Sequence, residues 1–110
     1  MPPQAPLGEF EVVVLMAVLH LRDDAYGSSI RDEIERRAGR PVSRGAVYIT
    51  LERLEEKGLL GSRVGGATPG RGGRPKRLFR VTAAGVKAVK QSVASLVRMH
   101  RGLEPILGDL

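Results

Sequence analysis

The chain has 110 residues, 42% of them hydrophobic, which is enough to bury one core and too few for two. It contains no cysteine and only two histidines, His20 and His100. This composition excludes disulfides, thiol catalysis and thiolate metal sites, and two lone imidazoles make a zinc site improbable.

The N-terminal residues 1–6 are rich in proline and are predicted to form a flexible arm. They lack the basic segment and apolar run of a secretory signal. The longest apolar stretch, residues 12–19, is far shorter than the roughly 20 residues that cross a bilayer. We therefore expect a soluble, cytoplasmic protein that does not contact membranes.

A first helix is predicted over residues 8–21, where apolar side chains recur at spacings of three and four. Its other faces are also apolar, so this helix is either central in the domain or covered by a second subunit. The β-branched residues would also suit a buried strand, but the segment is long for one.

Two further helices are predicted over residues 27–38 and 44–57. Residues 39–41, Gly-Arg-Pro, end the first of these, and Ser43 is a good N-cap for the second. The short turn between them is typical of a helix-turn-helix. The third helix has an apolar face formed by Val47, Leu51 and Leu54.

Two short strands are predicted over residues 59–64 and 78–81. The residues between them are mostly glycine and proline, which favours a hairpin with a long irregular tip, or wing. Residues 61–82 contain six basic residues and no acidic one, and the charges of the other segments cancel, so this segment accounts for the net charge of +6.

A segment with one sign of charge repels itself, so it indicates an anionic partner. Arginine outnumbers lysine five to one in this segment, which favours phosphate or base-edge recognition. A basic loop that serves only solubility is the alternative. The tripeptide Gly73-Arg74-Pro75 resembles the core of an AT-hook, in which an arginine enters a narrow minor groove; its basic neighbours are Arg71, Lys76 and Arg77.

Thr82 is predicted to cap a last helix that runs from residue 83 to about residue 101. Its apolar stripe steps alternately by three and four residues, which is typical of a coiled-coil seam and predicts a homodimer. Packing of this helix back onto its own domain is the alternative. The predicted dimer residues are Val86, Val89, Val93, Leu96, His100 and Leu103.

The first turn of the third helix is the predicted DNA-reading element. A helix N-terminus attracts phosphate, and Arg44 at this position could reach guanine edges in the major groove. Gly45 costs about 1 kcal/mol relative to alanine in a helix, which either tight helix packing or close approach of DNA would explain. Tyr26 and Tyr48 could each donate to phosphate or cover the core. The predicted DNA contacts are Tyr26, Ser43, Arg44, Gly45, Tyr48, Arg71, Arg74, Lys76 and Arg77.

Three blocks of sequence, in this order, resemble the PadR-like transcriptional regulators: Tyr26-Gly27, residues 45–59 with Arg53-Leu54-Glu55, and residues 72–85. The resemblance covers about residues 7–101. It implies a winged helix-turn-helix homodimer, usually a repressor, which a small molecule or stress signal releases in some members. It also implies that the third helix enters the major groove while the wing contacts flanking DNA.

The chain departs from the family pattern in two places. Leu78-Phe79 stands where the family often has two tyrosines, so any role of those hydroxyls is lost. Gly102, Pro105 and Gly108 break the last helix, as in the short, single-helix subgroup. Drug-binding members of that subgroup stack planar ligands on a tryptophan, which this chain lacks.

The predicted architecture is mainly α with a small β-hairpin: a winged helix-turn-helix domain over residues 7–82 and a dimerisation helix and tail over residues 83–110. The expected partners are double-stranded DNA, a second copy and an effector of unknown identity, with no cofactor or metal. An enzyme is not expected, because phosphate-loop and catalytic motifs are missing. The rival function is a winged-helix module that binds protein or RNA.

Overall fold

The computed structural model describes residues 6–65 and 76–110. A single 3₁₀ turn, Arg22–Asp24, follows the first helix. The fold is mainly helical with a two-stranded antiparallel hairpin, which confirms the predicted winged-helix class. Its elements are α1 (Glu9–Leu21), α2 (Gly27–Ala38), α3 (Arg44–Glu56), β1 (Leu60–Val64), β2 (Arg77–Val81), α4 (Ala83–His100) and α5 (Glu104–Leu107).

Helix α1 is the centre of the domain, because it contacts α2, α3, α4 and β2. Val14, Leu15 and Val18 are fully or almost fully buried by these neighbours. Of the two explanations for an all-round apolar helix, burial within its own chain therefore accounts for most of the surface. Leu19 is the large apolar side chain of α1 that stays exposed.

Helices α2 and α3 form the helix-turn-helix. Gly39 ends α2 in the left-handed conformation, with φ of +69°, where glycine carries no steric cost. The Ser43 hydroxyl then caps α3 by accepting a hydrogen bond from the Ala46 N–H at 3.1 Å. Burial of the apolar face of α3 against α1 and α2 leaves its opposite side outside the core.

The hairpin is attached to the helices along its β2 edge. Leu60 pairs with Val81 and Val64 with Arg77, and alternate residues point to opposite faces of the sheet. The Phe79 N–H donates to the Ala25 carbonyl at 2.8 Å, which ties β2 to the segment just before α2. The predicted wing tip lies outside the described residues.

Helix α4 starts in close contact with the hairpin. The Thr82 hydroxyl donates to the Gly58 carbonyl at 2.7 Å and accepts from the Gly85 N–H at 3.1 Å, so it caps α4 as predicted. A Cβ atom on Gly85 would overlap the Leu59 carbonyl oxygen and a methyl group of Val81. Only glycine allows α4 to begin this close to the strands.

The end of the chain contains one helical turn that the sequence did not indicate. Gly102, Pro105 and Gly108 were expected only to break the last helix, but Pro105 occupies the second position of α5. Proline is tolerated there because the first N–H groups of a helix have no partner within it. The His100 Nε2 atom lies 2.6 Å from the Gly108 carbonyl, which holds α5 against the end of α4.

Candidate nucleic-acid interface

One side of α3 is exposed over its whole length. Arg44, Gly45, Tyr48, Ile49 and Glu52 lie on it, opposite the buried face. Ile49 is 55% exposed, which is unusual for isoleucine. The helical spacing placed Ile49 on this side, but sequence reasoning gave it no role. On a helix that enters the major groove, an exposed apolar side chain would suit contact with a thymine methyl group.

Ser43 and Arg44, at the start of α3, differ in what their side chains contact. The Ser43 hydroxyl is engaged in capping the helix. The Arg44 side chain is exposed, and within the described residues it takes part in no ion pair or side-chain hydrogen bond. Of the two residues, Arg44 is therefore the one with a free side chain for a ligand.

The structure decides between the two explanations of Gly45. A Cβ atom built on Gly45 would meet no described atom within 4 Å. Tight packing against α2 therefore does not explain this glycine. The outer side of Gly45 is open space, so an external partner has room to approach the backbone closely.

Tyr48 lies across the start of α2. Its ring and hydroxyl occupy the position that a Cβ atom on Gly27 would take, so the tyrosine and the glycine fit together. The residue is still 44% exposed. Tyr48 therefore packs on α2 while its other side faces solvent, and its predicted contact with phosphate stays a prediction.

Tyr26 connects the start of α2 to the base of the wing. Its N–H donates to the Ser29 hydroxyl at 3.0 Å, which begins α2. The Lys76 ammonium lies 3.8 Å from the centre of the Tyr26 ring, a cation–π contact. These two predicted DNA contacts therefore contact each other.

Arg77 has internal partners that its sequence position did not indicate. Its guanidinium forms an ion pair with Glu55 of α3 and donates to the Ser62 hydroxyl of β1 at 3.1 Å. Ser62 also donates to Glu55 at 2.7 Å. In this arrangement Arg77 joins the wing to α3, which differs from the predicted phosphate contact. Arg71 and Arg74 lie outside the described residues.

The predicted dimer stripe on α4 falls into two parts. Val89 is 7% exposed and belongs to the core of its own chain, and Val93 packs partly against the same core. For Val89 and Val93 the alternative, packing back onto their own domain, is therefore correct. Val89 is no longer included in the proposed dimer interface. Leu96 and Leu103 remain exposed, and Val86 and His100 are half-buried.

Two carboxylates outside the predicted site support the helices that carry it. Hydrogen bonds donated by Arg37 and Arg36 lower the pKa of the buried Glu33 carboxyl below 4.5. Burial acts in the opposite direction but is outweighed. Burial acts to raise the pKa of Glu11, but a hydrogen bond from Lys57 at 2.6 Å and others outweigh it, and the pKa is lowered. The Glu11–Lys57 pair ties α1 to the end of α3.

Among the described residues no acidic, histidine or cysteine side chains cluster as metal ligands.

A helix-turn-helix with an open reading face beside a basic hairpin defines the class of winged-helix DNA-binding domains. The sequence profile described as "Transcriptional regulator PadR-like family" matches residues 15–91. The chain belongs to this family, and it is a DNA-binding transcriptional regulator, not an enzyme. A search of curated protein sequences found no match.

Solved structures of PadR-like proteins share the fold. A PadR family transcriptional regulator from Eggerthella lenta is 24% identical, with a TM-score of 0.69 and coverage of 93% of this chain and 88% of that one. A PadR-like regulator from Bacillus cereus is 17% identical, with a TM-score of 0.73 and coverage of 92% and 93%. A PadR-like transcription factor from Bacteroides fragilis is 24% identical, with a TM-score of 0.70 and coverage of 88% of each chain.

No helix within residues 6–65 and 76–110 combines the length and apolar character that a membrane span needs.

Proposed function

We propose that the protein is a homodimeric repressor that acts in the cytoplasm and binds a palindromic operator. In this proposal α3 lies in the major groove and the wing contacts flanking DNA. The observation that carries it is the exposed first turn of α3, where Arg44 has no described partner and Gly45 faces open space. A helix that presents a bare N-terminal turn suits contact with phosphates and base edges.

Binding of palindromic and scrambled duplexes over a range of salt concentrations tests this function. We expect tighter binding to a palindrome selected from the gene's own upstream region. The logarithm of the association constant should fall steeply with the logarithm of salt, by about 0.9 for each phosphate contact. A flat salt response, or no binding to any duplex, would instead favour a module that binds protein.

Base reading and phosphate contact can be separated by substitution. Arg44→Ala should change the preference among operator sequences, because this side chain is proposed to read base edges. Replacement of Arg71, Arg74 and Lys76 by alanine should weaken all duplexes to a similar extent, since phosphate contacts carry no sequence information. If Arg44→Ala weakens every duplex equally, Arg44 is a phosphate contact.

The exposed apolar surface at the end of the chain supports a dimer. Met99 of α4 is 73% exposed and Ile106 of α5 is 79% exposed, and both are flanked by other exposed apolar residues: Leu96, Leu103, Leu107 and Leu110. Several exposed apolar side chains at one end of a small domain favour association. A two-fold partner would place two α3 helices on one duplex, with half-sites about 34 Å apart.

For release from DNA we propose a small, largely apolar effector. A groove of about 190 Å³ between α1 and α2 supports this proposal; its apolar lining includes Val13, Met16, Ile34 and Ala38. The test is release of labelled operator by a panel of small apolar compounds. Ala38→Phe, which would fill the groove, should abolish the response of any active compound, and release that persists would place the effector elsewhere.

A further inference from the structure

The outer face of the hairpin carries arginines that the proposed reading surface does not use. Ser62 and Phe79 share the inner face with the core. By the alternation of the strands, Arg63 and Arg80 lie on the other face, together with Gly61 and Leu78. Both arginines are exposed. The face that points away from α3 therefore presents two guanidinium groups.

Arg22 adds a third guanidinium beside this face. It belongs to the 3₁₀ turn after α1, which contacts β2. Arg22, Arg63 and Arg80 line one pocket of about 70 Å³; the other lining residues are Asp23, Ser62, Leu78 and Phe79. This volume is suited to one tetrahedral phosphate group of a larger anion and is too small for a nucleobase with its sugar.

The backbone at Arg22 is in an unusual conformation. Among the described residues other than glycine, Arg22 alone has positive φ, at +54°. A long side chain rarely adopts this region, and such strain is concentrated at functional sites. The conformation ends α1 and starts the turn that brings Arg22 next to β2.

The Arg80 guanidinium lies against the sheet beside a glycine of the neighbouring strand. A Cβ atom on Gly61, the residue opposite Arg80, would lie 3.4 Å from the guanidinium carbon of Arg80. The guanidinium therefore lies over the bare backbone of β1, in the space that a side chain would crowd. No ion pair with a carboxylate of the described residues holds it in this position.

Within the described residues, the three arginines of the pocket take part in no ion pair, in contrast to four other arginines. Arg36, Arg37, Arg40 and Arg77 each form an ion pair with a glutamate. Asp23 is the single acid in the lining, so the pocket keeps an excess of two positive charges.

We propose that Arg22, Arg63 and Arg80 form a phosphate-binding site on the outer face of the hairpin. Guanidinium groups bind phosphate oxygens through paired hydrogen bonds, and an anion would relieve their mutual repulsion. The phosphate belongs either to the DNA backbone beyond the wing or to a free phosphorylated small molecule. The DNA source rests on the proposed function, whereas the free source does not.

Two measurements on the full chain distinguish these sources. In the first, inorganic pyrophosphate is titrated into ¹⁵N-labelled protein at constant ionic strength, with chloride as the reference anion. A free phosphate ligand is expected to shift the amides of residues 22–23, 62–63 and 78–80, and the shifts should be lost in the Arg63→Gln/Arg80→Gln double variant. The second is the salt dependence of operator binding by the same proteins.

If a backbone phosphate fills the site, the double variant should reduce the salt slope by about 0.9 and weaken all duplexes alike. Lys87→Gln is the matched control, because it removes an exposed charge from α4, away from the pocket. Two results together would overturn the proposal. The amide shifts caused by pyrophosphate would spread over the whole surface, and the salt slope of the double variant would equal that of Lys87→Gln. If the wild type binds no duplex, the proposed function fails, and the pyrophosphate titration still decides the site.

Discussion

The carboxylate of Glu55 and the guanidinium of Arg77 form an ion pair that joins α3 directly to β2. Ser62 of β1 donates to the same carboxylate, so one glutamate holds both strands of the wing. Glu55 is therefore one of the residues that set the orientation of the wing relative to α3. We therefore expect Arg77 to contribute to DNA binding by positioning the wing.

Removal of either partner should weaken operator binding without changing its salt dependence. We expect Glu55→Gln and Arg77→Gln each to cost about 1 kcal/mol, or about fivefold in affinity, as for an exposed ion pair. Fluorescence anisotropy at several salt concentrations measures both quantities. Glu56→Gln, a neighbouring exposed acid without an ion pair among the described residues, is the matched control.

Exchange of the two charges tests the same pair from the other direction. The double variant Glu55→Arg/Arg77→Glu should recover part of the affinity that either single exchange loses. If Arg77→Gln lowers the salt slope by about 0.9 while Glu55→Gln strengthens binding, Arg77 contacts a phosphate and the positioning role is wrong.

The sequence predicted the elements well, because their signals are local. Each signal comes from within one helix or directly beside it: the apolar periodicity, the caps Ser43 and Thr82, and the stop at Gly39. The observed ends of α2 match the prediction. The partner of Arg77 was missed because it depends on the strand register and on the distance to α3. The prediction for the stripe on α4 was limited for a similar reason. Its spacing does not distinguish a residue that packs in the core of its own chain, as Val89 does, from one that is exposed and free to contact a partner, such as Leu96.

Gly27→Ala should affect DNA binding more than stability. The new methyl group would overlap the Tyr48 ring, which can move outward because the residue is 44% exposed. Better helix propensity, by up to about 1 kcal/mol, should offset much of the crowding. We expect weaker operator binding at nearly unchanged urea stability. Tyr48→Phe keeps the ring and is the control. If Tyr48→Phe loses as much affinity as Gly27→Ala, the hydroxyl is responsible for binding. Unchanged binding by Gly27→Ala would contradict a role for the position of the ring.

Gly85→Ala should destabilise the fold. A methyl group there would overlap the Leu59 carbonyl, which is backbone fixed between α3 and β1. We expect a loss of about 2 kcal/mol in the free energy of unfolding, as for overpacked sites. Gly45→Ala is the matched control, because its methyl group would enter open space and should stabilise α3 by up to about 1 kcal/mol. Equal stability of the two variants in urea unfolding would contradict the close packing at Gly85.

The ion pairs of Glu33 should make stability depend on acid pH. Its pKa is lowered below 4.5, so the folded state favours the ionised form. This contribution is present above about pH 4.5 and is lost as the pH falls through the folded pKa. Glu33→Gln should therefore be less stable than the wild type by about 1 kcal/mol at neutral pH, and the difference should shrink in acid. Ser28→Ala, an exposed change on the same helix that alters no ionisable group, is the control.

Charges placed on the apolar surface at the end of the chain should separate the dimer. Val93 is a poor position for this test, because it packs partly on its own core and a charge there would also unfold the domain. Met99→Glu and Ile106→Glu change side chains that are 73% and 79% exposed, so the fold should survive while the proposed contact is lost. Light scattering should then give the mass of a monomer, with unchanged circular dichroism. Val64→Glu, on the exposed end of β1, is the control that should remain a dimer. Dimers of both Met99→Glu and Ile106→Glu would place the interface on another surface.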